Sequence, residues 1–106
     1  MSTVATFSID VRETVTGCTV RVGGEFDMIA AEEFYRVADD AILRDPHRVF
    51  IDCMAVTFID SMGIRALIHT ASLCESRGIA LTIEASDVVR RVLDTIGVSA
   101  LFTLAS

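Results

Sequence analysis

The side chains in this chain whose types and spacing could do chemistry are gathered in Asp60-Ser61-Met62-Gly63. The stretch stands after the apolar run Val49-Phe50-Ile51 and before a helix-period pattern, so Asp60 and Ser61 fall where a loop becomes a helix. Two readings of Ser61 compete there. In one, its hydroxyl merely caps the helix by accepting a free backbone N–H of the first turn, a task that suits Asp60 equally. In the other, the helix N-terminus is an electropositive spot that favours anions, and a hydroxyl placed there can carry a phosphate without unfolding its support. Gly63 either lets another protein approach closely or relieves crowding against a neighbouring strand.

Other reactive constellations fall away on spacing. Ser61 and His69 are eight residues apart on one helix, on the order of 12 Å along its axis, so they cannot form a nucleophile and base pair. Ile59 stands where a G-x-S-x-G elbow requires its first glycine, and neither G-x-x-x-x-G-K-[ST] nor G-x-G-x-x-G occurs. A serine hydrolase is therefore the weakest reading. All nine cations are Arg, which excludes any mechanism that needs a lysine. Cys18, Cys53 and Cys74 lack C-x-x-C spacing, and with His47 and His69 they match no recognised metal pattern. Reduced thiols, no metal and no cofactor are expected.

The 106 residues suit one domain, 1–106. A formal charge of −6 argues against a nucleic-acid partner. No apolar run approaches the roughly 18 residues of a membrane helix, and the N-terminus lacks the pattern of a secretory signal, so a soluble cytoplasmic protein with no membrane partner is expected.

The elements that must position Ser61 are read from period. Phe7, Ile9 and Val11 alternate with Ser8, Asp10 and Arg12, and after a turn at Val15-Thr16-Gly17 the alternation resumes over Cys18–Val22, which predicts an antiparallel hairpin ending or bulging at Gly23-Gly24. Over Met28–Asp45, Ala30, Phe34, Val37, Ala38, Ala41 and Ile42 form one helical stripe, with Asp27 as its candidate cap and Pro46 behind its end. Val49-Phe50-Ile51 reads as a short strand covered on both faces. Ile64, Leu67, Ile68, Ala71 and Cys74 are the inner stripe of the next helix, while Arg65, His69, Ser72 and Ser76 share an outer face that begins at Ser61. That face is either a partner surface or simply solvated. A glycine stop at Gly78, a strand over Ile79–Ile83, a helix capped by Ser86 or Asp87 with the stripe Val88, Val89, Val92, Leu93 and Ile96, and a fifth strand within Val98–Leu104 complete the chain. Strand, helix, strand is the grammar of an α/β domain with a mixed sheet of four or five strands and helices packed on it.

Asp60-Ser61-Met62-Gly63, with an apolar strand before it and Ile64-Arg65-Ala66-Leu67 after it, resembles the D-S-x-G phosphorylation motif of anti-anti-sigma factors, single-domain members of the STAS family. Gly24-Glu25-Phe26-Asp27 is similar to the family's G-E-[LF]-D segment, and the order of elements agrees across nearly the whole chain. Met62 stands where many members carry a second Ser or Thr. The resemblance implies an anti-sigma factor antagonist that is not an enzyme. Unphosphorylated, it would bind an anti-sigma factor with a kinase-like ATPase fold; phosphorylation of Ser61 would release it, and a serine phosphatase would reverse the change. Asp27, Asp60, Ser61, Met62, Gly63, Arg65, His69 and Ser72 would form the partner surface. The alternative within the family is a scaffold or transport-associated module in which Ser61 is never phosphorylated.

Overall fold

In a computed structural model of the chain, which describes residues 6–97 and 103–104, the expected hairpin is β1 (Phe7–Thr14) and β2 (Gly17–Phe26), joined by Val15 and Thr16. Gly23-Gly24 does not end the strand: β2 continues to Phe26, paired in regular register with β1, and the register against the next strand shifts on either side of the pair because that strand carries the extra residues. Gly24 has φ +88°, and a Cβ there would collide with the Thr6 carbonyl. Helix α1 (Met28–Ile42) follows, then β3 (Arg48–Ile59), α2 (Ser61–Ser76), β4 (Ala80–Ala85), α3 (Asp87–Thr95) and β5 (Thr103–Leu104). Of the expected tail strand, 98–102 lie outside the described residues.

The sheet runs in chain order, β1-β2-β3-β4-β5, with β1 antiparallel and the remaining pairs parallel. Stepping the same way at each crossover with right-handed connections puts α1, α2 and α3 on one face. Burial agrees. Val20, Val22, Val49, Ile51, Cys53 and Ile83 point under the helices and are almost wholly enclosed, whereas Arg21 on the opposite face is exposed. Phe50 also lies on that opposite face and is only half-buried, so the expectation of a strand covered on both faces does not hold for β3. Its apolar run reflects one inward face plus one half-sheltered aromatic.

β3 is also longer than the periodicity suggested. It runs on through Met54–Ile59 with two register shifts against β2, and buries Cys53, Val56 and Ile59 at a spacing of three instead of two. Each bulge inserts a residue and turns the following side chains over. Beyond Cys53 the strand has left β4 behind, since Cys53 pairs with Ala85, the last residue of β4.

The inner stripe of α1 packs as expected through Ala30, Phe34, Ala38, Ala41 and Ile42, with Val37 half-buried. Phe26, the last residue of β2, has no exposed surface; its ring lies 5.1 Å from Phe34 and 5.4 Å from Phe7. Burying a Phe contributes about 1.5–3 kcal/mol, so this cluster anchors the very end of the strand that leads into Asp27. On α2 the buried residues are Gly63, Ile64, Ala66, Leu67, Thr70 and Cys74, while Ile68 and Ala71 are half-buried. On α3, Val89 and Leu93 are enclosed, but Ile96, which caps the helix's end, is half exposed.

Candidate functional site

Phe26 and Ile59 face each other as the last residues of two neighbouring parallel strands, so Asp27 and Asp60 come next, side by side in register at the carboxyl edge of the sheet. This is the edge where open α/β sheets place their ligands. Both aspartates have extended backbone, and each caps the helix that follows. Asp27 Oδ1 accepts the Ala30 N–H at 3.0 Å, and Asp60 Oδ1 accepts those of Met62 at 2.9 Å and Gly63 at 3.0 Å. The Asp60 N–H donates to the Phe26 carbonyl at 3.3 Å, tying the two corners together.

Asp60, not Ser61, is therefore the cap. Ser61 is the first residue of α2, exposed, and among the described residues its hydroxyl makes no hydrogen bond. The sequence left both residues eligible; the backbone decides, because extended geometry belongs to Asp60. A second consequence concerns the anion site expected at this helix end. The amides of Met62 and Gly63 are already taken by Asp60, so the helix dipole remains but most of the free N–H groups do not.

Gly63 is buried, and a Cβ there would collide with the Phe26 carbonyl and stand 2.8 Å from Ile59 Cγ1. Of the two readings of this glycine, the geometry supplies the relief of crowding against a neighbouring strand. Met62 is half-buried against the core. Arg65 is exposed one turn beyond Ser61 and makes no ion pair among the described residues. His69 is exposed, but its Nε2 lies 3.1–3.2 Å from both oxygens of Asp39, and the ring stands edge-on to Tyr35 at 5.0 Å, so it fastens α2 to α1. Ser72 is exposed, and Ser76 bonds back to the Leu73 carbonyl at 2.8 Å. His47 lies exposed in the connection before β3.

A groove of about 350 Å³ runs beside the corner, lined by Ile59, Ile64, Ile68, Val92 and Ile96 together with Asp60, Ser61 and Arg65. Sequence reasoning missed three exposed apolar residues that stand close to the two aspartates in the chain. Met28 is 60% exposed, Ile29 78% and Phe58 50%; the first two follow Asp27 directly, and Phe58 precedes Asp60 by two residues. A signal existed, since Met28 and Ile29 are apolar yet fall outside the inner stripe of α1. The three cysteines are free and buried, and burial pushes the Cys53 thiol up to about 12. Among the described residues no three His, Cys, Asp or Glu side chains gather as metal ligands, and no helix is long and apolar enough to cross a membrane.

A family model described as STAS domain matches residues 7–106. Among solved structures, an anti-sigma factor antagonist from Mycobacterium paratuberculosis is similar at 24% identity, covering 98% of this chain and 89% of that one, with a TM-score of 0.86. The Bacillus cell fate determinant SpoIIAA in its phosphorylated form superposes with a TM-score of 0.74 at 19% identity, covering 93% and 92% of the two chains. A sulfate transporter family protein from Wolinella succinogenes gives 0.71 at 26% identity, covering 85% and 75%. No curated protein sequence matches the chain.

Proposed function

The chain belongs to the STAS domain family, and from that premise we propose that it is an anti-sigma factor antagonist whose contact with its partner is ended by phosphorylation of Ser61. In its unphosphorylated form it binds an anti-sigma factor with a kinase-like ATPase fold, freeing a sigma factor for transcription in a bacterial cytoplasm. The partner supplies ATP and the phosphorylating machinery, and a serine phosphatase of the same pathway resets the switch. This chain is ligand and substrate, not catalyst.

The observation that carries this reading is the exposed, unengaged hydroxyl of Ser61 directly beside a carboxylate that already does the structural work of the corner. A serine needed only for folding would be expected to bond to something. Exposed apolar Met28, Ile29 and Phe58, at the same carboxyl end of the sheet as Asp27 and Asp60, supply side chains of the kind that bury against a protein. Gly63 serves the proposed partner surface from beneath by letting α2 sit close on β2; His69 serves it by holding α2 to α1; Met62 and Ser72 border it.

The size of the switch follows from charge. A phosphoserine brings about 1.5 to 2 negative charges to a chain of net −6, next to Asp60 and Asp27. A hundredfold loss of affinity requires only about 2.7 kcal/mol, and an unpaired dianion forced into a desolvated interface costs more than that. Incubation with ATP and the anti-sigma kinase of the same organism should add the mass of one phosphate, and Ser61→Ala should remain unmodified. Wild-type protein left unphosphorylated by a kinase proven active on another substrate would sink this reading.

Similarity to the Wolinella succinogenes sulfate transporter family protein favours the alternative, a STAS scaffold or transport-associated module without phosphorylation. That module would bind its partner equally well with Ser61 replaced by Ala or by Glu.

A further inference from the structure

The far edge of β1 (Phe7–Thr14) has no strand beside it among the described residues. The hairpin fixes which backbone groups lie on that edge. Thr14 and Gly17 flank a two-residue turn and so form a hydrogen-bonded pair, and such pairs alternate with non-bonded ones. Arg12, Asp10 and Ser8 therefore direct their N–H and C=O groups towards β2, while Glu13, Val11, Ile9 and Phe7 direct theirs outward. β1 contains neither a proline nor a register shift, features that would blunt an edge. Asp10 and Arg12 are exposed on the sheet face away from the helices, and neither has an ion-pair partner among the described residues.

We infer that this edge joins two copies of the chain, β1 pairing antiparallel with β1 of a second copy about a two-fold axis at Val11 to make one continuous sheet. The register is set by two constraints. Outward-pointing residues must face outward-pointing residues, which allows Val11 on Val11, or a shift by one residue of the axis either way. The shifts place Asp10 on Asp10 or Arg12 on Arg12, and like charges directly opposite are destabilising. With the axis at Val11, Asp10 of each copy faces Arg12 of the other, in the non-bonded positions where side chains approach most closely. Symmetry makes this favourable contact twice. Glu13 then faces Ile9 of the second copy, and its carboxylate is already held by Arg44 at 2.5 Å. Because Phe7 pairs with Gly24 near the Asp27 and Asp60 corner, the antiparallel arrangement sends the two Ser61 edges to opposite rims of the joined sheet, each open to its own partner.

Sedimentation equilibrium of the full chain tests this with Asp10→Arg, Arg12→Asp and the double exchange. Wild type should form a reversible dimer; each single reversal should weaken it about tenfold or more, and the double exchange, which restores opposite charges across the axis, should return it to within about threefold of wild type. A wild type that stays monomeric at about 100 µM, a dimer indifferent to the single reversals, or singles that the double exchange does not rescue would each overturn the inference. Amide exchange provides a check that needs no variant: the outward N–H groups of Ile9, Val11 and Glu13 should become protected as concentration rises. Fast exchange at every concentration would also overturn it. Neither readout involves Ser61, so this inference and the phosphorylation switch can fail separately.

Discussion

Asp60, Ser61 and Gly63 occupy three consecutive duties within four residues, and substitution should separate them. Asp60 accepts two amides, so Asp60→Ala should cost about 1–2 kcal/mol in urea denaturation. Gly63→Ala pushes a methyl group against the backbone carbonyl of Phe26, which cannot swing away as a side-chain tip would, and should cost about 1–3 kcal/mol. Ser61→Ala removes a hydroxyl that bonds to nothing among the described residues, and should change stability by no more than about 0.5 kcal/mol. If Ser61→Ala destabilised the fold as much as Asp60→Ala does, the hydroxyl would be structural and free for no other task. At this scale the strand-to-helix corner was legible in the sequence as Asp60-Ser61-Met62-Gly63, but the structural duty of each residue was not. Two good N-cap residues stood adjacent, and only the point where β3 stops, at Ile59, decides between them.

Between elements, the corner is braced from the side by Ser86, which joins the start of α3 to the bulged half of β3. Its Oγ donates to the Val56 carbonyl at 2.8 Å and accepts the Val89 N–H at 3.4 Å. Ser86→Ala leaves a strand carbonyl and a first-turn amide without partners, so it should cost about 1–2 kcal/mol and speed amide exchange in the first turn of α3. Unchanged exchange there would show that the bridge carries nothing. The hairpin, the three helices and their inner faces were readable because periods of 2.0 and 3.6 survive wherever an element is regular. β3 was not readable past Cys53. Its two bulges turn the buried positions to a spacing of three, which matches neither template, and the apolar Met54 and Phe58 that result look like core residues although both are about half exposed. Likewise, an inner stripe identifies the buried side of α1 but says nothing about Met28 and Ile29, whose exposure depends on how the helix enters from β2.

As a whole molecule, the domain closes its core over three thiols. Burial, and then the charge of Asp52, raise Cys53 from 9.0 to about 12; burial, and then Cys18, raise Cys74 to about 11. In the unfolded chain these thiols ionise near their ordinary value, while the folded protein holds them protonated, so their contribution to stability is complete below about pH 9 and is lost as pH rises through the folded values. Denaturation midpoints should hold up to about pH 9 and decline as pH rises from there towards about 11, and Cys53→Ala should flatten that decline. The same burial leaves the thiols unreactive towards alkylating reagents until the protein unfolds. Ser61 is exposed outside this core, so the proposed phosphate would add its charge without reaching it. The most direct test of that central point is the affinity of the anti-sigma partner for the chain with Ser61 free and with phosphoserine installed at position 61, measured side by side with circular-dichroism melts. We predict a loss of about a hundredfold or more with the phosphorylated domain still folded; equal affinity for the two forms, or a phosphorylated domain that is unfolded at room temperature, would contradict the account.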